Sequence, residues 1–339
     1  MKSQIVYSKA LPRAHQFPEE TVLFYDSILA KNKNFKNWLK SFPYKIALKS
    51  GEELKTIRSF SLMLNKISKL SVPKSTKLTF VAVGGGSIGD FVGFLSSVFL
   101  RGRPLVLIPS TWLSAVDSAH GGKNGLNFLN VKNQIGSFYP AGKIYICKDL
   151  LLSQPQERLT ESLGEVIKIA VLSDKKLFDI IEKKMSSAEL YQQLPKIIKL
   201  KYKIVNRDFF EKNGLRRLLN LGHTMGHVFE SQFGWPHGIA VLLGIQFSAR
   251  WSFHNGLLDQ TNFFKISLLI DSLDLNVNLN TALKKINKNK IVSLLSKDKK
   301  LTSKDRLDFI FIKKIGSCRR KSVTVNEILD EVKRQKLVY

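Results

Sequence analysis

The sequence predicts an N-terminal α/β domain with a mainly parallel sheet, followed by a mostly α-helical domain. Short apolar runs alternate with helix-period segments over the first part of the chain, the pattern of strands linked by crossover helices. From about residue 149 the strand signal fades and long helical patterns take over. The 339 residues, 44% hydrophobic and 24% charged, are enough for about two domains with a buried core in each. The expected boundaries are 1–148 and 149–339.

The elements can be justified in order. Tyr44–Leu48 (YKIAL), 78–83 (LTFVAV), 105–108 (LVLI) and 144–147 (IYIC) read as short buried strands bounded by turn residues. Between them, 59–70 and 90–100 read as helices. Past the boundary, Ser186 and Glu189 form a capping-box pattern, and Pro195 suits a first helical turn. A strand is expected only at 307–312 (LDFIFI), before a final helix over 326–336.

Several classes are excluded. The longest apolar stretch, 91–100, stops at Arg101, whereas a bilayer span needs about 20 residues, so no membrane protein is expected. The N-terminal stretch MKSQIVYSKALPRAH lacks the apolar core of a secretory signal. Two cysteines make neither a disulfide framework nor a cysteine metal cage. A soluble cytoplasmic protein is expected. Lys plus Arg number 54 against 27 Asp plus Glu, a net charge of +27. The lysines, including those in 284–300, lack the interleaved aromatics on which bases stack. We read them as a solvated surface and not a nucleic-acid face; steering of a small anion is a further use of such charge.

Four clusters carry chemistry. Gly84-Gly85-Gly86-Ser87-Ile88-Gly89 fits G-x-G-x-x-G after a predicted strand and before a helix, where glycines admit a pyrophosphate to a helix N-terminus. This points to a Rossmann-like dinucleotide site, although no acidic residue follows about 20 positions on, as the ordinary fingerprint requires; a packing turn is the plainer alternative. Three of the six histidines, His223, His227 and His237, lie close together, the first two at i and i+4 on one helix face. A catalytic metal site often joins two histidines to a carboxylate. In GEVIK (164–168), Glu165 and Lys168 sit at i and i+3 among apolar residues, a candidate source or a plain buried ion pair. The segment 117–139 combines glycine turns with Asp117, Lys123, Lys132 and Asn133, suiting a phosphate cradle or ordinary surface turns.

Taken in order, GEELK (51–55), GGGSIGD (84–90), LRGRP (100–104), PSTWLSAVDSAHGGKNGLN (109–127), VKNQIGSFY (131–139), GEVIK, GLRRLLNLGHTMGH (214–227), HGIAV (237–241) and DKK (298–300) resemble the 3-dehydroquinate synthases of the sugar phosphate cyclase family. The resemblance implies an α/β NAD-binding domain, then a mostly helical metal and substrate domain. Glu165, His223 and His237 would hold a zinc or cobalt ion. Glu52, Lys55, Gly84, Gly85, Gly86, Gly89, Asp90, Ser110 and Thr111 would face NAD, with Asp117, Lys123 and Lys132 alongside. Lys123, Asn133, Asn220, His227 and one of Lys299 or Lys300 would surround the substrate phosphate. Asp117 and Lys168 would hold substrate hydroxyls. Arg101 would reach the phosphate of a neighbouring subunit, which implies a homodimer.

The implied reaction converts 3-deoxy-arabino-heptulosonate 7-phosphate to 3-dehydroquinate and phosphate in the shikimate pathway of aromatic amino-acid biosynthesis. NAD⁺ oxidises the C5 hydroxyl transiently, phosphate leaves by β-elimination, hydride returns, and an intramolecular aldol step closes the ring. Lys201 and Arg216 match the cations that receive the substrate carboxylate, which a cyclase of carboxylate-free sugars would not need. That cyclase, and a metal-dependent polyol dehydrogenase, are the alternatives within the resemblance. Three departures stand out: Ile239 where a glutamate is usual, Phe209 after Asp208 with an inserted residue before Gly214, and His120 with Asn124 in the 109–127 segment.

Overall fold

The computed structural model describes residues 3–129, 131–183, 185–296, 301–303 and 306–338. Lys299 and Lys300 lie outside the described residues. The chain divides into two compact units, Met1–Arg158 and Leu159–Tyr339.

The first unit is built on strands β1 (Gln4–Ser8), β2 (Thr21–Asp26), β3 (Tyr44–Leu48), β4 (Thr79–Gly84) and β5 (Leu105–Pro109), a separate antiparallel hairpin β6 (Lys123–Phe128) and β7 (Val131–Phe138), and β8 (Lys143–Cys147). The hairpin apart, these strands form one parallel six-stranded sheet in the order β1-β8-β5-β4-β2-β3. Helices α1 (Lys33–Leu39), α2 (Ile57–Ser68) and α3 (Gly86–Val98) connect the strands. Because successive side chains alternate between faces, Leu23, Val81, Val83, Ile108 and Tyr145 share one cluster with Phe35, Leu39 and Phe42 of the α1 region. Phe24 and Phe80 meet edge to face at 5.3 Å on the opposite side. A parallel sheet covered on both faces needs continuous apolar strands, which is why β4 is buried at every position.

The hairpin replaces the polar turns expected over 117–139. A π-helical turn (Ser114–Ser118) precedes it, and Asn124 donates to the carbonyls of Gly122 and Tyr139 at 3.1 and 2.8 Å. Asn124 fills the space over Gly93, where a Cβ would lie 2.0 Å from its Oδ1. His120 is buried, with Nε2 2.9 Å from the Ala115 carbonyl. Both departures in this segment are thus accommodated by local packing.

After α4 (Lys148–Leu152), the second unit begins in the first turn of α5 (Gln156–Ser173) and continues through α6 (Lys175–Ile181), α7 (Ser187–Val205), α8 (His223–Phe233), α9 (His237–His254), α10 (Gln260–Asp271), α11 (Leu279–Lys285), α12 (Lys288–Ser296) and α13 (Val325–Val338). The capping box forms: Ser186 Oγ accepts from Glu189 N at 3.3 Å, and Glu189 accepts from Ser186 N at 2.8 Å. Pro195 is not in a first turn but inside α7. Burial of Leu190, Leu194, Ile197 and Ile198 carries the helix across the donor that proline lacks. The expected lone strand is a three-stranded antiparallel sheet, β9 (Leu301–Ser303), β10 (Arg306–Lys314) and β11 (Ser317–Thr324), in the order β11-β10-β9. β11 (SCRRKSVT) is too polar to show the apolar alternation of a strand; Gly316 (φ +91°) turns it back onto β10.

Glycines set the spacing of the helices that matter most. A Cβ on Gly238 would fall 1.4 Å from the Glu161 carbonyl oxygen, and one on Gly164 would fall 2.2 Å from that of Gly238, so α5 and α9 touch backbone to backbone. A Cβ on Gly244 of α9 would fall 1.9 Å from the oxygen of Gly222, just ahead of α8. Gly238→Ala is therefore expected to destabilise by at least the ~1–3 kcal/mol of core overpacking, a melting-temperature drop of several degrees at about 2–4 °C per kcal/mol. Thermal unfolding checks this, and a melting temperature equal to wild type would refute the close contact.

Candidate active site

In the second unit, Glu165 is the point on which other side chains converge. It lies mid-α5, almost wholly buried. His223 and His237 each stand at the first position of their helices, α8 and α9, and each directs Nε2 to 3.4 Å from Glu165 Oε1. Lys168, one turn along α5 and also buried, contacts the other carboxylate oxygen. The Glu165, His223 and His237 donor atoms lie within 4.8 Å of one another, close enough to share one ion. The other ring nitrogens are turned to acceptors: His223 Nδ1 is 3.1 Å from the Leu221 carbonyl, and His237 Nδ1 is 3.1 Å from Glu230 Oε2. Such partners favour the tautomer in which Nε2 is the nitrogen able to ligate an ion. Burial alone would lower the His237 pKa, but the Glu165 and Glu230 carboxylates outweigh it and raise it to about 9. His227 stacks edge-on to His223 at 5.4 Å between ring centroids, and also lies with Glu230 and His237 in a second group able to hold an ion.

Sequence reasoning missed Glu230. The signal was there: 223, 227 and 230 follow i, i+4, i+7 on one face of α8. Its carboxylate lies beside His237, at 3.1 Å from Nδ1.

Arg216 and Lys201 are both buried, Lys201 in α7 and Arg216 opening a 3₁₀ turn, Arg216–Asn220, that carries Asn220 at its end. Arg216 Nη1 donates to the Phe209 carbonyl at 2.7 Å, and the guanidinium lies over the Phe209 ring at 5.9 Å. Phe209 thus has a structural use as the platform under Arg216. The buried Asp208 carboxylate accepts from the backbone N–H of Asn213 at 2.9 Å and of Arg216 at 3.1 Å.

In the first unit, the glycine turn connects β4 to α3 as the motif implied. Ser110 N donates to the Gly84 carbonyl at 3.0 Å; a Cβ on Gly85 would lie 3.3 Å from Thr111, and one on Gly86 would lie 3.0 Å from Ser118. Nothing lies within 4 Å of where a Gly89 Cβ would be. Lys55 Nζ is 2.7 Å from Asp90 Oδ2 and donates to Asn133 Oδ1 at 2.5 Å. Burial raises the Asp90 carboxyl above its ordinary value, against the lowering effect of Lys55. Glu52 Oε2 accepts from Asn127 Nδ2 at 2.7 Å, and Asn127 Oδ1 accepts from Asn133 N at 2.9 Å, so GEELK and the hairpin are tied together. Asn133 adopts φ +53° there. Asp117 lies in the π-helical turn, Lys123 is exposed at the start of β6, and Lys132 is exposed on β7. Arg101 is exposed in a turn where it and Leu100 both take positive φ, +65° and +46°. No helix among the described residues is long and apolar enough to cross a membrane.

Family models described as 3-dehydroquinate synthase N-terminal and C-terminal match residues 45–161 and 162–301. The chain is 35% identical over 281 residues to a 3-dehydroquinate synthase of Methylacidiphilum infernorum, covering 81% of this chain and 75% of that one. Against the Colwellia psychrerythraea enzyme of the same name it is 33% identical over 319 residues, covering 91% and 86%. Among solved structures, 2-deoxy-scyllo-inosose synthase complexed with carbaglucose-6-phosphate, NAD⁺ and Co²⁺ superimposes with a TM-score of 0.84 at 20% identity, over 97% of this chain and 96% of that one. A 2-epi-5-epi-valiolone synthase from Streptomyces hygroscopicus, with NAD⁺ and Zn²⁺ bound, gives 0.82 at 21% identity over 98% and 96%.

Asp208 supplies a pH test of this local order. Burial alone would raise its carboxyl, but the backbone N–H groups of Asn213, Arg216, Lys212 and Leu215 hold it below the ordinary 3.8. A carboxyl lowered on folding adds stability that is present above the unfolded value and is lost as pH falls through the folded one. Asp208→Asn is expected to unfold at lower urea than wild type near neutrality, and the gap should close as the medium becomes acidic. Urea melts of both proteins across that range check it; a gap that does not change with pH would contradict the assignment.

Proposed function

The chain belongs to the 3-dehydroquinate synthase family, and from that premise we propose how its residues divide the conversion of 3-deoxy-arabino-heptulosonate 7-phosphate to 3-dehydroquinate and phosphate. The observation that carries the reading is the convergence of Glu165, His223 and His237, with both histidine Nδ1 atoms turned to acceptors. One carboxylate and two imidazoles suit zinc or cobalt, and these three residues would hold it. When bound, the ion supplies Lewis acidity toward a substrate oxygen. The glycine turn with the N-terminus of α3 fits the pyrophosphate of NAD, and NAD supplies a hydride acceptor that is regenerated in each turnover. Glu52, Lys55, Asp90, Ser110 and Thr111 would line the cofactor, with Asp117, Lys123 and Lys132 beside it.

The chain's own residues bind and orient the substrate. Arg216 and Lys201 receive the carboxylate, the feature that selects the heptulosonate phosphate over a carboxylate-free sugar. The Phe209 carbonyl and ring hold the guanidinium in one plane, which suits bidentate recognition. Asp117 and Lys168 hold hydroxyls, and Lys168 beside Glu165 also offsets the charge of that buried carboxylate. Lys123, Asn133, Asn220, His227 and a lysine of the 298–300 segment orient the departing phosphate, where fixed charge assists the developing anion. We further propose a homodimer in which Arg101 serves the partner's phosphate site. Two successive positive-φ residues at 100 and 101 and the exposed Val98, Leu100 and Phe138 support an interface there. Free Cys147 and Cys318 thiols suit the reducing cytoplasm.

The decisive assay is phosphate release from the heptulosonate phosphate. It should require NAD⁺, stop with a chelator and accumulate no NADH; steady NADH formation would instead mark a dehydrogenase. His237→Ala should lose bound metal, and unchanged stoichiometry would sink that ligand set. Arg216→Ala should lose roughly 1.5–3 kcal/mol of a charge-assisted contact, about one to two decades in kcat/KM, with metal and NAD⁺ binding retained. Faster turnover of sedoheptulose 7-phosphate, with Arg216→Ala indifferent, would move the protein to the sugar-type cyclases.

A further inference from the structure

We infer that Asp308, on β10, is a positioning residue for Arg216; the inference rests on the reading of Arg216 as the receiver of the substrate carboxylate. Arg216 ends an irregular segment that runs from Asn206 at the end of α7 to the 3₁₀ turn. That segment contains two left-handed residues, Glu211 at φ +57° and Gly214 at φ +73°, so its course is not one the backbone takes unaided. Asp208 holds it from within through the N–H groups of Asn213 and Arg216.

Asp308 holds it from the other side. Its Oδ2 accepts from Arg217 Nη1 at 2.7 Å and from Arg320 Nη1, on β11, at 3.3 Å. Arg217 is the next residue after Arg216, and its Nε also lies 4.0 Å from Glu211 Oε1. The Arg320 guanidinium covers Gly214 so closely that a Cβ there would fall 2.1 Å from Nη1. One buried carboxylate on a sheet strand therefore fixes the backbone at Gly214 and at Arg217, on both sides of Arg216. Neighbours in a 3₁₀ turn, at three residues per turn, point about 120° apart, so Arg217 can be clamped to the sheet while Arg216 is directed to Phe209. Without Asp308, two guanidinium groups face each other with their shared counter-charge gone. The turn would shift, and a displacement near 1 Å of the guanidinium weakens its grip on the substrate carboxylate, a loss felt in binding and so in KM.

The test separates positioning from stability. In Asp308→Asn, assayed as the metal- and NAD⁺-loaded enzyme well below its melting temperature, KM for the heptulosonate phosphate should rise about tenfold, with kcat nearly unchanged and metal content at wild-type level. Asp308→Glu should recover much of the loss. Arg217→Leu reaches the same clamp without altering the strand; it should raise KM alike, and combining it with Asp308→Asn should add little. A lowered melting temperature with wild-type KM in Asp308→Asn and Arg217→Leu would overturn the inference and leave Asp308 a structural residue. Arg216→Ala tells the two failures apart. If it raises KM while the Asp308 and Arg217 variants do not, only the positioning role falls; if it leaves KM unchanged, the carboxylate reading falls as well.

Discussion

The buried carboxylate of Glu165 is the constraint around which the second unit is arranged. A carboxylate removed from water is costly unless charged and hydrogen-bonding groups surround it. Here Lys168 comes from the same helix, but the two imidazoles must come from others, and they reach Glu165 only because α5, α8 and α9 approach backbone to backbone. The glycines at 164, 238, 222 and 244 permit that approach. His223 and His237 then need no long side chain, since each stands at the first residue of a helix whose start is pinned by the contact. Ile239 apart, α9 is buried from Gly238 to Ser252, so the helix that carries His237 is also the centre of the unit's core.

Acidic residues are scarce in a chain of net charge +27, and many hold structural positions. Asp26 caps a turn through Ile28 N. Asp208 gathers backbone donors, Asp308 joins two arginines, and Glu331 accepts from Gln335 and lies 2.8 Å from His254 Nδ1. Each is buried, and each organises cations or N–H groups around itself. The lysines lie mostly outside this scheme.

The parallel sheet was legible in part because its central strands β4, β5 and β8 are almost wholly buried and therefore apolar. Tyr44–Leu48 was read with its true bounds, and β4, β5 and β8 were found within a residue at either end. β1 and β2 escaped: β1 is short and half exposed, whereas β2 (TVLFYD), buried at five of its six positions, carries an apolar strand signal that went unread. The hairpin 123–138 was hidden because its residues are selected for polar contacts and not for burial. The histidine cluster could be seen as a cluster, whereas its link to Glu165 depends on glycine contacts between distant helices, which no local pattern reports. Asp308 had no signature at all. An acid at one position of an apolar strand acquires meaning only beside Arg217 and Arg320.

The order of the sheet bears on how the protein is made. Strand β1 pairs with β8, and Ser8 of the one contacts Cys147 of the other across 139 residues of sequence. During synthesis the sheet's own first strand to leave the ribosome is thus the one whose partner arrives last. Closing so long a loop costs entropy before any pairing returns it. The β2, β3 and β4 strands can meet much earlier, whereas β1 spends the interval as an unpaired edge. Until β8 emerges, that unpaired strand offers its backbone donors and acceptors to any other exposed edge.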